Sequence, residues 1–348
     1  MDEILRIQDL RVSYRERDRT VRAVDGIDLA LKRGTTLAIV GESGCGKTTL
    51  ALSILNLVPS PGRIESGCVI YDGRDLLTMK PRDLRRIRGR AISMIFQDPT
   101  SGLNPVMTVG SQVEEIVRTH LDVSKRESRR ITMQALRRQG LSEPERIASS
   151  FPFQLSGGMC QRVMIAIATV MRPSVIIADE PTSALDVTVQ AAILYELQEL
   201  RDSLAAGIIL ITHDLGVVAQ VADDIAVMYA GRIIERGATI DVYARPQHPY
   251  TAALLAARPR IDEPGRRIQP IRGASPDLSA LTGACAFLPR CSKAVNDCRN
   301  GPWPSLRETA PGQSAACYNP VFHRGGSPLV REQCDHRAAA YGASMDAG

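Results

Sequence analysis

Eight consecutive residues carry the clearest chemistry: Gly41-Glu42-Ser43-Gly44-Cys45-Gly46-Lys47-Thr48, with Thr49 next. They fit G-x-x-x-x-G-K-[ST] between an apolar strand (36–40, TLAIV) and a helical stretch (46–58), the context that identifies a phosphate-binding loop. Glycines at 41, 44 and 46 let the backbone curl, so that its N–H groups and the helix N-terminus face an anion. Lys47 is placed for the β- and γ-phosphates of ATP. Thr48 offers its hydroxyl to Mg²⁺. Ser43, Cys45 and Thr49 complete the expected nucleotide-binding set. A second run, Val175-Ile176-Ile177-Ala178-Asp179-Glu180, ends an apolar strand in two carboxylates. Asp179 suits the Mg²⁺ shell, and Glu180 suits orientation and deprotonation of an attacking water. Alone, such a strand end is weak evidence; downstream of a phosphate loop it is strong.

A different chemistry is written into the C-terminal part. Four of the eight cysteines, Cys285, Cys291, Cys298 and Cys317, crowd together with five, six and eighteen residues between them. These are not the C-x2-C pairs of zinc ribbons. Four thiolates satisfy a 4Fe–4S cluster, whose spacing is tolerant when the chain folds around it. Structural zinc, reduced thiols and a disulfide are the alternatives. Cys45, Cys68, Cys160 and Cys334 are isolated, and Cys45, near a helix N-terminus, is expected to have a lowered thiol pKa.

The elements that position these groups follow from periodicity. Residues 4–14 alternate as a half-buried strand does, 91–96, 174–178 and 207–212 are short apolar runs, and 158–171 and 187–204 read as helices. Strands alternating with helices predict an α/β fold with a largely parallel core sheet. Residues 104–150 carry no strong strand and read as a helical insertion. From about 245 prolines and glycines multiply. The expected organisation is a nucleotide-binding domain over 1–245 with a helical subdomain near 100–165, a linker at 246–275, a cysteine-bearing region at 276–322, and a tail at 323–348.

Composition excludes several classes. With 348 residues, 44% hydrophobic and 23% charged, the chain is not globally disordered. A net charge of +5 over this length is too weak to imply nucleic-acid binding. The basic stretch RDLRRIRGR (82–90) lacks interleaved aromatic residues and reads as a solvated helix. No apolar run reaches the ~18–20 residues of a membrane helix, and MDEILRIQDL has no signal-peptide core. A membrane role is expected to come through partners.

Leu155-Ser156-Gly157-Gly158-Met159 resembles the signature of ATP-binding-cassette (ABC) ATPases. The rest of that family's set follows in order. Gln97 matches the Q-loop glutamine, a further Mg²⁺ ligand and catalytic residue. Ser183-Ala184-Leu185-Asp186 matches the D-loop, His213 the switch histidine, and Tyr14 the aromatic residue that stacks on adenine. The resemblance implies a P-loop core with a helical subdomain, and head-to-tail pairing of two cassettes. In such a pair Lys47 and Glu180 serve one ATP, while Ser156, Gly157 and Gly158 cap the ATP of the other subunit.

The segments QDPTSGLNPVMTVG (97–110), LSGGMCQRVMIAIA (155–168), EPTSALDVTVQAAIL (180–194), Pro246-Gln247-His248-Pro249-Tyr250-Thr251 and ACAFLPRC (284–291) are similar to ATPase subunits of dipeptide/oligopeptide (peptide/nickel) importers. This resemblance covers residues 4–320. It implies an ATP-hydrolysing subunit at the cytoplasmic face of the membrane, a second ATPase subunit, two permease subunits and an extracytoplasmic binding protein. Some importers of this type carry a 4Fe–4S cluster. Cys160 replaces the family's usual arginine, with an expected effect on the contact to the partner subunit, and Ala284 replaces a common glycine. Import of nickel or a nickel chelate is the neighbouring reading. A soluble cassette ATPase acting on ribosomes or DNA is the reading from another class, and a single phosphate loop with no basic stripe argues against it.

Overall fold

A computed structural model describes residues 2–16, 19–182, 187–257 and 270–321. The D-loop residue Asp186, the segment 258–269 and the 323–348 tail lie outside the described residues.

The main sheet forms where the sequence is continuously apolar. Strands β1 (Glu3–Glu16) and β2 (Arg19–Lys32) lead into β3 (Thr36–Val40), all of whose residues are buried. After β4 (Gly62–Tyr71) and β5 (Arg74–Asp75) come β6 (Ile92–Ile95), β7 (Val175–Asp179), β8 (Gly207–Thr212) and β9 (Asp224–Tyr229). β9, β3, β8, β7 and β6 lie side by side in that order, all parallel. Runs buried on both faces are what a covered parallel sheet requires. Leu50 and Ile54 of α1 (Lys47–Ile54) cover one face over Ile39, Ile177 and Ile211. The other face packs Ile176, Ile208 and Leu210 against α8 (Val187–Leu204) and α9 (Leu215–Val221). β1, β2, β4 and β5 form a separate antiparallel sheet in the order β2-β1-β4-β5.

The helical insertion runs from α3 (Pro99–Gly102) through α4 (Val109–His120), α5 (Lys125–Arg138) and α6 (Pro144–Ser149) to α7 (Gly157–Thr169). Three N-caps fix its helix starts: Thr108 accepts from Ser111 N, Ser124 from Glu127 N and Ser156 from Met159 N. Its own core contains Val113, Leu136, Ile147, Val163 and Cys160. The Cys160 thiol is 1% exposed and donates to Pro152 O. This corrects the expectation that it modulates a partner contact. The basic stretch at 82–90 forms α2 (Pro81–Ile87), which buries Leu84 alone, as a solvated helix should.

The C-terminal part departs most from expectation. β10 (Arg232–Ala238) pairs antiparallel with β9, and α10 (Thr239–Ala244) follows. The segment read as a linker opens instead as α11 (Pro249–Ala256), with Tyr250 fully buried. The cysteine region contributes α12 (Asn296–Asn300), β11 (Arg307–Ala310) and β12 (Gln313–Ala315). β12 pairs with β10 through Glu235↔Ala315 and Arg236↔Ser314, and β11 pairs with β12. The extension is therefore two further strands of the main sheet rather than a separately folded appendage. Its Trp303 packs beside the sheet with the Arg232 guanidinium 4.6 Å from the ring centre.

Candidate functional site

The phosphate loop leaves β3 at Val40 and enters α1 at Lys47. Two of its glycines are forced. A Cβ on Gly41 would lie 2.2 Å from Met228 O, and one on Gly46, whose φ is +105°, would lie 2.0 Å from Ala23 O. Lys47 is 6% exposed and donates to Gly41 O (2.7 Å) and Glu42 O (3.0 Å), so its ammonium lies across the loop. Ser43, Gly44 and Thr48 are exposed. Tyr14, on β1, reaches the same helix start, its hydroxyl 3.4 Å from Thr49 Oγ1. Cys45 is 5% exposed, and burial pushes its thiol up despite Lys47 nearby. The expected lowering does not occur, because desolvation outweighs the neighbouring charge.

Three separated residues converge beyond the ends of β6, β7 and β8. Glu180 Oε2 accepts from Gln97 Nε2 (3.2 Å), and Glu180 Oε1 lies 3.1 Å from His213 Nδ1. Glu180 has a φ of +47°, a left-handed backbone held by its N–H on Ile211 O (2.8 Å). For a non-glycine residue such a conformation costs about 1–3 kcal/mol and is concentrated at functional sites. Asp179 is 1% exposed, and burial raises its carboxyl pKa while the Thr48 hydroxyl bonded to it opposes the shift. Its Oδ1 is buried without a hydrogen-bond partner. An orphaned carboxylate oxygen beside a threonine hydroxyl is a donor set suited to a hard cation such as Mg²⁺.

Ser156 sits at the N-cap of α7, away from this convergence in sequence. An ideal Cβ on Gly157 or Gly158 meets nothing within 4 Å, and neither residue has positive φ. Packing within the chain gives no reason for two glycines at the start of a helix, where each costs up to about 1 kcal/mol relative to alanine. The open face leaves room for a ligand from outside. Gln161, on the same helix, donates to Pro181 O (2.8 Å), tying α7 to the loop after Glu180.

Cys285, Cys291, Cys298 and Cys317 are all free thiols and line one pocket, together with His248 and Phe287. Burial raises the thiols of Cys285 and Cys291, and pushes that of Cys317 up to about 11. Main-chain N–H groups of Phe287 and Leu288 point at Cys285, that of Lys293 at Cys291, and that of Asn319 at Cys317. Burial holds His248 neutral, its pKa down to about 3, with Nδ1 accepting from Tyr250 N. Among the described residues, no group of three or more His, Cys, Asp or Glu side chains is arranged to hold a metal ion.

One part of the site escaped the sequence. Glu42, inside the phosphate loop, is gripped by the C-terminal extension. Arg290 donates to both of its carboxylate oxygens (2.6 and 2.9 Å), and Ser275 Oγ donates to Oε2 (2.9 Å). The Tyr250 hydroxyl accepts from Glu42 N (2.9 Å). The Arg290 pair, foremost, holds the Glu42 carboxyl below its ordinary pKa. The motifs PQHPYT and ACAFLPRC contain Tyr250 and Arg290, but nothing local in them announces a contact with residue 42.

Comparison with known proteins agrees with this architecture. Residues 24–183 match the ABC transporter family model, and residues 234–298 match the C-terminal region of oligopeptide/dipeptide transporters. The oligopeptide transport ATP-binding protein OppD of Salmonella typhimurium is 44% identical over 318 residues, 91% of this chain and 94% of that protein. The dipeptide transport ATP-binding protein DppD of Bacillus subtilis is 44% identical over 299 residues, 86% of this chain and 89% of that one. Among solved structures, the cassette MJ0796, captured as a post-hydrolysis dimer with ADP and Pi, superposes with a TM-score of 0.61 at 28% identity, covering 68% of this chain and 98% of that one. The two transport ATP-binding proteins match 91% and 86% of this chain, and the chain belongs to the ABC transporter family, among its oligopeptide and dipeptide transport ATP-binding proteins.

Proposed function

We propose that this chain is the ATP-hydrolysing subunit of a peptide importer, paired with a second cassette subunit beneath two permease subunits at the cytoplasmic face of the membrane. An extracytoplasmic binding protein supplies the peptide. The observation that carries the reading is the convergence of Gln97, Glu180 and His213 beside the phosphate loop in a chain 44% identical to peptide-transport ATPases. Among the described residues no helix is long and apolar enough to cross a membrane.

In this reading Lys47 and the loop N–H groups hold the β- and γ-phosphates, and Tyr14 stacks on adenine. Thr48, Asp179 and Gln97 would hold Mg²⁺, which would supply charge that neutralises the phosphates. Glu180 orients water against the γ-phosphorus and takes its proton as the bond to the β–γ bridging oxygen breaks. His213 steadies the Glu180 carboxylate. Ser156, Gly157 and Gly158 close over the partner's nucleotide, and the open face of those glycines supports that role. Asp186 belongs to the same interface. Replacing Glu180 by Gln in the assembled transporter should retain ATP and slow turnover by about 10²–10⁴-fold, the span of general-base catalysis. Unchanged turnover would sink the assignment, and loss of nickel uptake with intact peptide uptake in a deletion strain would move the substrate class.

The four cysteines belong to the same proposal at a finer level. One pocket collects all four sulfurs, and amide N–H groups point at three of them, as they do around cluster thiolates. Spacings of five, six and eighteen residues, unlike the C-x2-C pairs of zinc ribbons, favour a 4Fe–4S cluster over structural zinc. About four irons and four sulfides per anaerobically purified chain would support this; one zinc without iron would replace it.

A further inference from the structure

Glu42 sets a carboxylate inside the phosphate loop, at a position the motif leaves free. The loop works by presenting N–H donors and one ammonium to a polyanion, and Glu42 follows its first glycine, immediately before the exposed Ser43 and Gly44. Lys47 attracts that charge from within the loop, but the side chains that hydrogen-bond to the carboxylate all come from beyond residue 228. Arg290 is 5% exposed and grips both Glu42 oxygens as a fork, the geometry in which guanidinium matches carboxylate. The fork is itself held: Arg290 Nε donates to Arg272 O (2.8 Å), and one terminal nitrogen donates to the Tyr229 hydroxyl (3.2 Å). Its guanidinium carbon lies 5.9 Å from the ring centres of both Tyr229 and Phe287. Tyr250 takes the Glu42 N–H, so backbone and side chain of this residue are both fixed. Arg290 closes the short helical turn Leu288–Arg290, between Cys285 and Cys291.

We propose that Arg290 is a positioning residue for the nucleotide, cancelling the Glu42 charge beside the phosphate path and fixing the first turn of the loop from the C-terminal extension. The inference rests on the reading of Lys47 and its loop as the ATP site. It differs from a merely structural role in one respect. If Arg290 only fastened the extension, removing Glu42 as well would not repair its loss. If it cancels charge, removing both would.

The test uses the full chain in its assembled transporter, with ATP affinity and steady-state KM and kcat as readouts and Trp303 fluorescence reporting whether the extension stays docked. Arg290→Met leaves Glu42 anionic and should raise KM for ATP about tenfold or more with little change in kcat, the uniform loss of binding expected of a ground-state repulsion. The defect should shrink as salt rises, because partly exposed charges are screened. Glu42→Gln combined with Arg290→Met should return KM to within about threefold of the wild type, and Arg290→Lys, which keeps the charge without the fork, should fall between Arg290→Met and the wild type. Equal defects in the single and double variants, or no defect in Arg290→Met, overturn the proposal. Where Arg290→Met releases the extension, Glu42→Gln alone decides. It leaves a guanidinium uncompensated beside the phosphates, so ATP should bind tighter, by a margin that falls with salt; unchanged affinity overturns the proposal. Lys47→Ala is the control for the underlying reading. If it binds ATP as the wild type does, the nucleotide site itself is misplaced and both conclusions fall.

Discussion

Glu235 offers the sharpest test of the claim that the extension is part of the main sheet. Its side chain is fully buried on β10. One oxygen accepts from Gln247 N (2.7 Å) and Gln313 Nε2 (2.7 Å), the other from His248 N (2.8 Å). Burial raises its pKa and these donors oppose the shift. Substitution by Ala removes the acceptor for all three. Gln313 keeps a second partner, Arg245 O at 2.9 Å. Two main-chain N–H groups, those of Gln247 and His248, lose the acceptor they had. At about 1–3 kcal/mol for each buried donor left unpaired, the loss is about 2–6 kcal/mol. Part is returned because a buried carboxylate is itself unfavourable, so about 3 kcal/mol is the working figure. The chain contains one tryptophan, Trp303, and it lies in the extension. Urea unfolding followed by Trp303 fluorescence therefore reads the extension, while far-ultraviolet circular dichroism reads the whole chain. With a urea slope of about 1–3 kcal/mol/M, the Trp303 midpoint should fall by about 1 M or more. It should also separate from the dichroism midpoint, with which it is expected to coincide in the wild type. A variant whose two midpoints still coincide and move by less than about 0.3 M would refute the reasoning, because the pairing of β12 with β10 would then not depend on this carboxylate.

Glu196, on α8, is pushed up to about 7, chiefly by burial and against the hydrogen bond from Gln139 and the charge of Arg162. The folded chain then holds a proton that the unfolded chain releases near 4.5, so stability from this group is complete below about pH 4.5 and is lost as pH rises through 7, a change of about 3 kcal/mol. Chemical denaturation across that range should show the slope in the wild type and its loss in Glu196→Gln; parallel curves would contradict it. Cys45 is buried with a raised thiol pKa, whereas Cys68 is partly exposed. N-ethylmaleimide should label Cys68 at least about tenfold faster in the folded chain by mass spectrometry, and equal rates would show that Cys45 is more accessible than its burial indicates.

The phosphate loop, the Asp179–Glu180 pair and the capped start of α7 were legible because each is a local pattern whose spacing alone fixes the geometry. The convergence of Gln97, Glu180 and His213 was legible for a different reason. Each follows the end of its own apolar strand, and β6, β7 and β8 are parallel neighbours, so their ends line up along one edge of the sheet. Family order assigned the residues, and strand order makes them meet. The C-terminal pairing was not legible. β12 is three residues long, Gln313–Ala315, too short for alternation to show, and its partner β10 is selected by Glu235 from inside the sheet. Cys45 was misread because a helix N-terminus is visible in sequence and burial is not.

The contact between Glu42 and Arg290 spans 248 residues, and its logic is electrostatic. Among the described residues, three carboxylates bear on the proposed ATP site: Glu42, Asp179 and Glu180. The proposed function gives Asp179 and Glu180 work there, and one has a buried oxygen without a partner while the other is bonded to Gln97 and His213. Glu42 has no such assignment, and an unpaired charge at that position would repel the polyphosphate. A lysine would answer the charge with a mobile point. Arginine answers it with a rigid fork, fixed through Arg272 O and the Tyr229 hydroxyl to the strand and loop that flank the site. The same residue is bonded directly to Cys291, so the thiol-lined pocket and the phosphate loop share a wall one residue thick.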